Sequence, residues 1–598
     1  MKKTKIFLLL LLLFVYLALR IAFILQVRED IHWRSLSPRT DMDNYHRAGI
    51  KLSQGEFPGK EFDLNPLYPL LIIAPVYRFA GINIFSLRIF QILLATFGAY
   101  LYFLLLRHLF PENISLYSLL LLALYPPLVV YDSSIQPVFL ENLLLISSLL
   151  LLVKSRQKKY LAPFSFLILG MGFLSRPTFL PLLPLFLWDR WREERGKAFL
   201  NLIYFFLPLL PFLIWNWREY RSLVLLRNKG GIVFLIGNNP YATGSSGLPS
   251  FYWKELSKKW EGLNPVEKDR MAYLMAFRFI KENPGKFLRL LGRKTVLFWG
   301  REDIPNNVNV LYARQISFLK YIPLSFGIIF PLALAGLILC LREFKRYYLF
   351  YLTLGGIYIF TILFLVVGRY RLPVIYFLLP FFFLALDKIK KSLSEKTSLY
   401  PLILPFFLYL LYFTPALRFR IPALLNPRGF VVKNRVWVIR DEDGKPPPPL
   451  LNHRYRAILQ RKGEGVLKIL YFPFSPHEFS RIHLKIYVGV RNPVSFLLTV
   501  NGKTREVTPK MDTYPYYGWI TVPVPPEIVR KGKNEIVIEY LRGEVEIYLD
   551  DKFDFNRSAF LTPRGEILFR YPDRKSHRKA IPAALGDGEF KIEWEVWK

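Results

Sequence analysis

The chain has 598 residues, of which 53% are hydrophobic, 17% aromatic and only 21% charged. This composition is unusual for a soluble protein and is expected when much of the outer surface faces lipid. The formal net charge is +36, yet no basic helix or nucleic-acid motif accompanies it, so we expect no nucleic acid partner. The single cysteine, Cys340, excludes an intrachain disulfide and a cysteine-ligated metal site.

The N-terminus begins with MKKTK and is apolar to about Gln26, with Arg20 as an interruption. The apolar stretch is too long for a signal peptide, and no cleavage site of the small-x-small type follows it. We therefore predict an uncleaved first transmembrane helix whose lysines lie in the cytoplasm.

Further apolar segments approach the roughly 20 residues that a membrane-spanning helix needs. Including the first, there are eleven: about 6–26, 85–109, 114–133, 135–153, 160–175, 177–190, 198–217, 316–341, 347–367, 370–387 and 398–417. The sequence thus predicts a polytopic α-helical membrane protein with about eleven transmembrane helices.

Charge sorting gives this prediction an orientation. The short connections 154–159, 189–197, 341–346 and 387–396 are rich in Lys and Arg, as retained cytoplasmic loops are. With the N-terminus inside, the long loops 27–84 and 218–315, the turn 368–373 and everything after about residue 418 lie outside. We expect a multi-pass protein of the cell (inner) membrane, in contact with its lipids.

The first long loop contains two segments that are not simply polar. Residues 44–54 have the pattern of a short amphipathic helix, and residues 64–81 are apolar but broken by three prolines. A span over 64–81 would place the following basic segments on the wrong side. A helix lying along the membrane interface fits better.

After the membrane part, the sequence changes to alternating strands. Residues 481–490 and 534–541 have a period of two, and 496–507 forms a hairpin pattern with Asn501-Gly502 at its turn. We predict a transmembrane module over residues 1–420 and an extracytoplasmic all-β sandwich or jelly-roll domain over residues 421–598.

Two carboxylates, Asp41 and Asp43, follow the first helix and are followed by Tyr45. A carboxylate at this place can take a proton from an acceptor hydroxyl while remaining near a lipid head group. Alternatively, both aspartates cap the helix that follows. The pair could also hold a divalent cation through oxygen ligands, although many such sites need none, so no cofactor is certain.

The order of these features resembles the GT-C superfamily of polyprenyl-phosphate-sugar-dependent glycosyltransferases. The likeness is closest to bacterial relatives of protein O-mannosyltransferases and of the lipid A aminoarabinose transferase. In that family a first-loop Asp, an aromatic residue four positions later, the pattern A-x-x-L-x-x-G and a Pro-Leu-Tyr-Pro helix follow one another. The matching residues here are Asp41, Tyr45, Ala48, Gly55 and 66–69.

The sequence departs from this pattern in two ways. Residues 49–52 shift the helix pattern, and Asp43 adds a second carboxylate; the spacing to Tyr45 favours Asp41. The resemblance covers roughly residues 1–390, with later landmarks at 131–145, 175–184, 237–249, 294–303 and 368–375. It implies transfer of a monosaccharide, with inversion, from a polyprenyl-phosphate carrier to a hydroxyl of a protein, lipid or glycan, with Asp41 or Asp43 as base.

The resemblance also implies a second acidic residue. Glu141 follows Pro137 near the outer start of a helix, and Asp132 competes with it. Either could orient the acceptor or a cation, and the alternative is a residue wetted by interfacial water. A carboxylate within a membrane helix costs about 2.5–3.5 kcal/mol, which favours a functional role.

A phosphate leaving group needs cations that offset its developing charge. Arg369 and Arg371 lie in the predicted outer turn, and Arg176 lies at an outer helix end. A guanidinium group can bind two phosphate oxygens at once, which suits the phosphate of the donor substrate. The alternative is that each arginine only extends to the phosphates of the surrounding membrane lipids.

Asn238 and Asn239 belong to the Gly- and Asn-rich segment 237–249, which lacks the pattern of a nucleotide-binding loop. The segment either shapes the sugar or acceptor cavity or forms an ordinary turn cluster. A transporter or flippase of lipid-linked sugars is the alternative function. It would predict ionisable groups in mid-membrane and pseudo-symmetric halves.

Overall fold

The structure is a computed structural model. Its described residues are 3–28, 33, 41–58, 65–221, 230–242, 244–245, 250–300, 304, 308, 310–395, 403–405, 407–408, 430–433, 436–439, 456–459, 465–472, 475–490, 492–509, 516–543, 545–548, 558–561, 567–568 and 592–597. The chain divides into one unit of Met1–Ser246 and Trp260–Tyr409 and another of Gly247–Lys259 and Leu410–Lys598. The predicted domain boundary near residue 420 lies outside the described residues.

Helices make up the described part of the first unit. The α-helices, including α13 of the second unit, are α1 Lys3–Val27, α2 Asp41–Ser53, α3 Ala74–Ala80, α4 Ile84–Leu109, α5 Glu112–Leu124, α6 Pro126–Asp132, α7 Val138–Ser155, α8 Ala162–Ser175, α9 Leu182–Glu194, α10 Asn201–Phe206, α11 Leu210–Tyr220, α12 Gly230–Gly237, α13 Ser250–Lys259, α14 Pro265–Glu282, α15 Pro284–Trp299, α16 Val310–Gln315, α17 Phe326–Leu339, α18 Phe344–Leu363 and α19 Gly368–Glu395. Short 3-10 turns lie at Lys159–Leu161, Pro177–Phe179, Arg195–Leu200, Leu207–Leu209, Phe318–Tyr321 and Leu341–Glu343.

Six helical stretches in the described part of the chain are long and apolar enough to cross a membrane: Lys3–Val27, Ile84–Leu109, Val138–Ser155, Pro177–Tyr220, Leu341–Leu363 and Gly368–Glu395. A seventh is added if α5 and α6, which are bent by 65° to each other, form one span. The bend follows Tyr125, where Pro126 and Pro127 supply no N–H group to continue the helix. The prediction of a polytopic membrane protein is confirmed.

The predicted number of eleven helices is not confirmed in the described part of the chain. The predicted segments 177–190 and 198–217 belong to a single helical stretch, and Lys159–Ser175 and Phe326–Leu339 are shorter than a full span. Most of the predicted segment 398–417 lies outside the described residues.

The first long loop is helical where its pattern predicted it. Helix α2, Asp41–Ser53, covers the predicted segment 44–54 except its last residue, and a π-helical turn, Pro69–Ile73, continues into α3. The two segments pack closely at Gly49. A Cβ atom at this position would overlap the side chain of Ile73, so only glycine fits without a shift. Asp41 and Asp43 both lie in the first turn of α2, where the helix dipole favours negative charge.

The described part of the second unit is mainly β-structure, which confirms the predicted C-terminal β region. Its strands are β1 Phe430–Lys433, β2 Val436–Ile439, β3 Arg456–Leu459, β4 Gly465–Phe472, β5 Arg481–Val490, β6 Ser495–Val500, β7 Lys503–Val507, β8 Tyr516–Val524, β9 Gly532–Arg542, β10 Val545–Tyr548, β11 Ser558–Leu561, β12 Ile567–Leu568 and β13 Ile592–Trp597, with 3-10 turns at Pro476–Glu478 and Pro526–Ile528.

These strands form two antiparallel sheets. One has the order β1-β2-β13-β5-β10-β3, with β8 on the other edge of β5, and the second has the order β12-β11-β4-β9-β6-β7. Alternate side chains of β5, such as Leu484 and Ile486, share a buried core with Ile536 and Ile538 of β9. The two sheets therefore enclose one core, while the jelly-roll description stays a prediction.

The predicted hairpin at Asn501-Gly502 is present. Both residues have positive φ, 49° and 83°, as a type I′ turn requires. The side chain of Asn501 also donates to the Ile528 carbonyl at 2.8 Å and to Asn534 Oδ1 at 2.7 Å. The turn is thus tied to β9 by side-chain as well as backbone bonds.

Candidate functional site

The first turns of α2 and α19 meet through an ion pair. Arg369 Nη2 lies 3.0 Å from Asp41 Oδ2, and the two side chains are 13% and 27% exposed. The pair joins the first long loop to a turn 328 residues further along the chain. Two of the residues predicted for the site are therefore in contact, and both remain partly accessible.

Gln136 is the second partner of Arg369. Its Oε1 accepts from Arg369 Nη1 at 2.8 Å, and the residue is fully buried in the connection between α6 and α7. Its Nε2 group and the Nε group of Arg369 have no hydrogen-bond partner among the described residues. Two buried donors thus remain beside the ion pair.

One ring contact and two hydrogen bonds link Tyr45 to the same connection between α6 and α7. The Tyr45 ring packs edge-on against Tyr68 with the ring centres 5.3 Å apart. Tyr68 donates its hydroxyl to Gln91 Oε1 at 2.8 Å, and Gln91 Nε2 donates to the Ser134 carbonyl at 2.9 Å. Tyr45 is therefore a buried packing residue that positions α2 against the segment that carries Gln136.

Asp43 faces a different partner from Asp41. Side chains two positions apart on a helix point about 200° apart, and Asp43 pairs with the exposed Arg47 at 3.3 Å. His46, on the same helix, bonds the Tyr77 hydroxyl through Nδ1 at 2.7 Å. Burial lowers the pKa of His46, and the nearby Asp43 opposes this shift.

The two carboxylates do not fit a shared cation. Asp41 faces Arg369 and Asp43 faces Arg47, so each already has a positively charged neighbour. No group of three His, Cys, Asp or Glu side chains that could hold a metal occurs among the residues that the structure describes. We assign no step to a metal ion.

Glu141 and Arg176 form a second, deeper ion pair. Arg176 Nη2 lies 2.7 Å from Glu141 Oε2, with the side chains 8% and 3% exposed. The Arg176 guanidinium also lies 4.8 Å from the centre of the Tyr370 ring. Since Tyr370 follows Arg369, the structure brings Glu141 and Arg176 next to the first pair.

Arg371 has other surroundings. Its Nη1 donates to the carbonyls of Gly300 and Phe298, at 2.5 and 3.4 Å, and its guanidinium lies 4.5 Å from the centre of the Phe326 ring. These contacts tie α19 to the end of α15. The structure does not place Arg371 with Arg369 and Asp41.

Asn238 and Asn239 follow the end of α12, and their side chains form hydrogen bonds there. Asn239 Oδ1 accepts from the backbone of Tyr241 at 2.8 Å, which closes a local turn. Asn238 Nδ2 donates to the Leu363 carbonyl at 2.9 Å, and its Oδ1 accepts from Lys294 Nζ at 3.0 Å. Burial lowers the pKa of Lys294 to about 7.

The segment between α18 and α19 is held by the same region. The backbone N–H of Val366 donates to the Gly244 carbonyl at 2.9 Å, and that of Gly368 donates to the Ile304 carbonyl at 2.8 Å. With the bond from Asn238 to Leu363, three contacts fix the backbone that leads to Arg369. The Asn-rich segment supplies two of these three contacts and so helps to fix the backbone that precedes Arg369.

Asp132 belongs to a buried cluster with the first helix. Its Oδ2 accepts from Arg20 Nε at 2.9 Å and from the Tyr16 hydroxyl at 2.7 Å. Arg20 Nη1 also donates to the backbone carbonyls of Tyr16 and Ala123. Asp132 thus connects α1 to α6, just before the connection that carries Gln136.

Three residues of this arrangement were not predicted as site residues: Gln136, Tyr370 and Lys294. Gln136 lies within the landmark 131–145 and Tyr370 within 368–375, while Lys294 begins the landmark 294–303. A polar residue inside an apolar segment was the available signal for Gln136. Nothing local distinguishes Tyr370 from the many other aromatic residues.

Residues 65–215 match the protein family described as dolichyl-phosphate-mannose-protein mannosyltransferase. This match confirms the predicted resemblance. The chain resembles GT-C glycosyltransferases. The matched segment contains Gln136, Glu141 and Arg176, whereas Asp41 and Arg369 lie outside it. No match is found among curated protein sequences.

Two solved structures of an oligosaccharyltransferase from Archaeoglobus fulgidus are similar to parts of this chain. The one named AglB, in complex with an inhibitory peptide and a dolichol-phosphate, has 14% identity and a TM-score of 0.36 over 69% of this chain. The one tethered to an acceptor peptide has 13% identity and a TM-score of 0.41 over 69% of this chain. The chain spans about half of their length, 55% and 54%. Likeness at this level does not carry an assignment.

Proposed function

We propose that the protein is a membrane glycosyltransferase that moves a monosaccharide from a polyprenyl-phosphate carrier to a hydroxyl acceptor. The observation that carries this proposal is the ion pair of Asp41 with Arg369, beside the buried amide of Gln136. It joins a carboxylate that can accept a proton with a guanidinium that can bind a phosphate. The matched family supports the reaction type.

In the proposed reaction, Asp41 takes the proton of the acceptor hydroxyl while the acceptor oxygen attacks the anomeric carbon. The bond between that carbon and the phosphate oxygen breaks, and its electron pair leaves with the polyprenyl phosphate. Attack opposite the leaving group inverts the anomeric configuration. Arg369 offsets the charge that develops on the phosphate oxygens.

Arg176 and Glu141 have a supporting role in this proposal. Their pair lies against Tyr370 and fixes the ring beside Arg369. Asp43 has no role in the chemistry, because it faces Arg47 at the surface of α2.

We further propose that the site opens on the outer face of the cell membrane, with the N-terminus in the cytoplasm. The Lys- and Arg-rich short connections support this orientation. The name of the matched family combines a lipid-phosphate mannose with a protein acceptor. Protein hydroxyls are therefore the first acceptors to test, followed by lipids and glycans.

The test is transfer of a radiolabelled monosaccharide from synthetic polyprenyl-phosphate donors by the purified full chain. We expect transfer by the natural chain and by Asp43→Asn, and none by Asp41→Asn. Full activity of the double variant Asp41→Asn, Asp43→Asn would overturn the assignment of the base. If the labelled donor moves across the vesicle membrane and no sugar is transferred to an acceptor, a transporter or flippase is favoured.

A further inference from the structure

Under the proposed function, the carboxylate of Asp41 has two roles. It forms an ion pair with Arg369, and it must accept a proton from the acceptor hydroxyl. We propose that the carboxylate of Asp41 holds the place of the donor's phosphate on Arg369, so that donor binding displaces Asp41 and releases it as the base. This inference rests on the proposed function and adds an order of events to it.

The contacts of Arg369 leave room for such an exchange. A guanidinium presents Nε and Nη2 along one edge, which matches two oxygens of a phosphate. Asp41 engages only Nη2 on this edge, at 3.0 Å, and Nε has no partner among the described residues. A single carboxylate oxygen therefore fills half of a two-donor edge that a phosphate can fill completely.

Gln136 keeps the guanidinium in place during the exchange. It holds Nη1, which lies away from the edge that Asp41 uses, and it is fully buried. Its own Nε2 group has no partner in the described part of the chain and can donate to a ligand oxygen. The phosphate would thus meet up to three N–H donors of Arg369 and Gln136, of which the carboxylate of Asp41 uses one, Arg369 Nη2.

The exchange leaves Arg369 paired with a single negative charge, while the displaced Asp41 keeps its own charge. A polyprenyl-phosphate sugar is a phosphodiester with one negative charge, the same as the carboxylate that it replaces. Arg369 is therefore paired before and after donor binding. The oxygen of Asp41 that accepts from Arg369 becomes available to an acceptor hydroxyl only once the donor is present.

A purely structural ion pair predicts the opposite effect of removing Asp41. If the pair only orders the first turn of α2, its loss loosens the site and weakens ligand binding. If the carboxylate competes with phosphate, its loss strengthens phosphate binding. The sign of the change in affinity separates the two, independently of any sugar transfer.

The experiment measures binding of a radiolabelled short-chain polyprenyl monophosphate to the purified full chain in detergent. We expect Asp41→Asn to bind it more tightly by on the order of fivefold, the scale of a partly exposed ion pair. Asp43→Asn removes the same charge two positions away and is expected to bind as the natural chain does. Arg369→Gln is expected to bind at least about tenfold more weakly.

Equal or weaker binding by Asp41→Asn, with normal binding by the natural chain, would overturn the inference and leave the proposed function intact. Tighter binding by Asp43→Asn to the same extent would also overturn it, because the effect would be unspecific charge. No binding by any form would show that the proposed donor class is wrong, and the inference falls with it.

The order of events has its own kinetic test. If the donor must bind first, a non-reactive acceptor analogue inhibits uncompetitively against the donor, because it binds only after the donor. Competitive or noncompetitive inhibition against the donor would contradict the displacement of Asp41.

Discussion

Arg176 and Arg369 lie against the same aromatic ring, with guanidinium carbons 4.8 and 5.4 Å from the centre of Tyr370. Each arginine has its own carboxylate, Glu141 for the first and Asp41 for the second. The ring therefore connects a buried ion pair to a partly exposed one. Disturbing the buried pair changes the support of the exposed one.

Glu141→Gln is expected to destabilise the protein by about 3–5 kcal/mol, because it leaves the Arg176 cation buried without its carboxylate. Replacing both residues, as in Glu141→Gln with Arg176→Met, should cost less than the single change. Thermal unfolding of the purified protein in detergent measures both effects. Glu112→Gln is the control: it breaks the partly exposed pair with Lys5, at 2.8 Å, and should cost less than about 1 kcal/mol. A strictly additive double variant would contradict the coupling.

Arg369→Lys keeps the positive charge but loses the planar fork. We expect KM for the donor to rise about tenfold or more, with a smaller change in KM for the acceptor, because only the donor carries the phosphate. Steady-state kinetics with each substrate varied measures the difference. Arg47→Lys, at an exposed position on α2, is the matched control and should leave both constants unchanged. An equal rise of both KM values after Arg369→Lys would argue against a phosphate contact.

Gly237 is the last residue of α12 and packs directly against Phe364, in the segment that precedes Arg369. A Cβ atom at this position would overlap the carbonyl of Phe364, and backbone cannot move aside as a flexible side chain can. Gly237→Ala is expected to cost about 1–3 kcal/mol and to impair donor binding as well. Gly355→Ala, on α18, adds the same methyl group where nothing lies within 4 Å. Unfolding temperature and donor affinity should fall in the first variant, whereas neither should fall in the second, where alanine only favours the helix.

Lys294 gives the protein a pH-dependent stability. Its pKa is about 7 in the folded chain, against 10.5 for the free side chain, because burial disfavours the charged form. Between these values the unfolded chain binds the proton and the folded chain does not. The free energy of unfolding therefore rises with pH from about 7 to about 10, by at most about 1.4 kcal/mol per pH unit.

Lys294→Met should remove this rise, while Lys281→Met, at an exposed position on α14, should keep it. Denaturant or thermal unfolding in detergent at several pH values between 7 and 10 measures the slope. The same slope in both variants would assign the pH dependence to other groups.

Local patterns predicted the parts of this protein whose structure is decided locally. The alternation of residues 481–490 reproduces β5, Arg481–Val490, because a strand with one buried face must alternate. Asn501-Gly502 predicted its turn because both positions need positive φ. Asn239 likewise behaves as an ordinary turn residue, since its side chain bonds the backbone two residues on.

Contacts between distant segments could not be predicted in this way. The sequence suggested that Asp41 and Arg369 share one side of the membrane, but their pairing depends on the packing of α2 against the start of α19. Arg369 and Arg371 look equivalent in the sequence. Their different partners follow from helix geometry, which turns side chains two positions apart to different sides. Asn238 differs from its neighbour Asn239 because its side chain also bonds to residues of two other helices, Leu363 and Lys294.

The buried bond between Arg20 and Asp132 sets a condition on how the protein is made. The two residues are 112 positions apart, so the first helix enters the membrane well before its acidic partner has been synthesised. An unpaired arginine within a membrane helix costs about 2.5–3.5 kcal/mol on insertion scales. Until α6 arrives, the guanidinium has to be satisfied by water, by lipid head groups or by the insertion machinery. Helix α1 therefore reaches its final depth and rotation in the membrane only after α6 has been synthesised. The final packing of α1 is thus a late step of biogenesis.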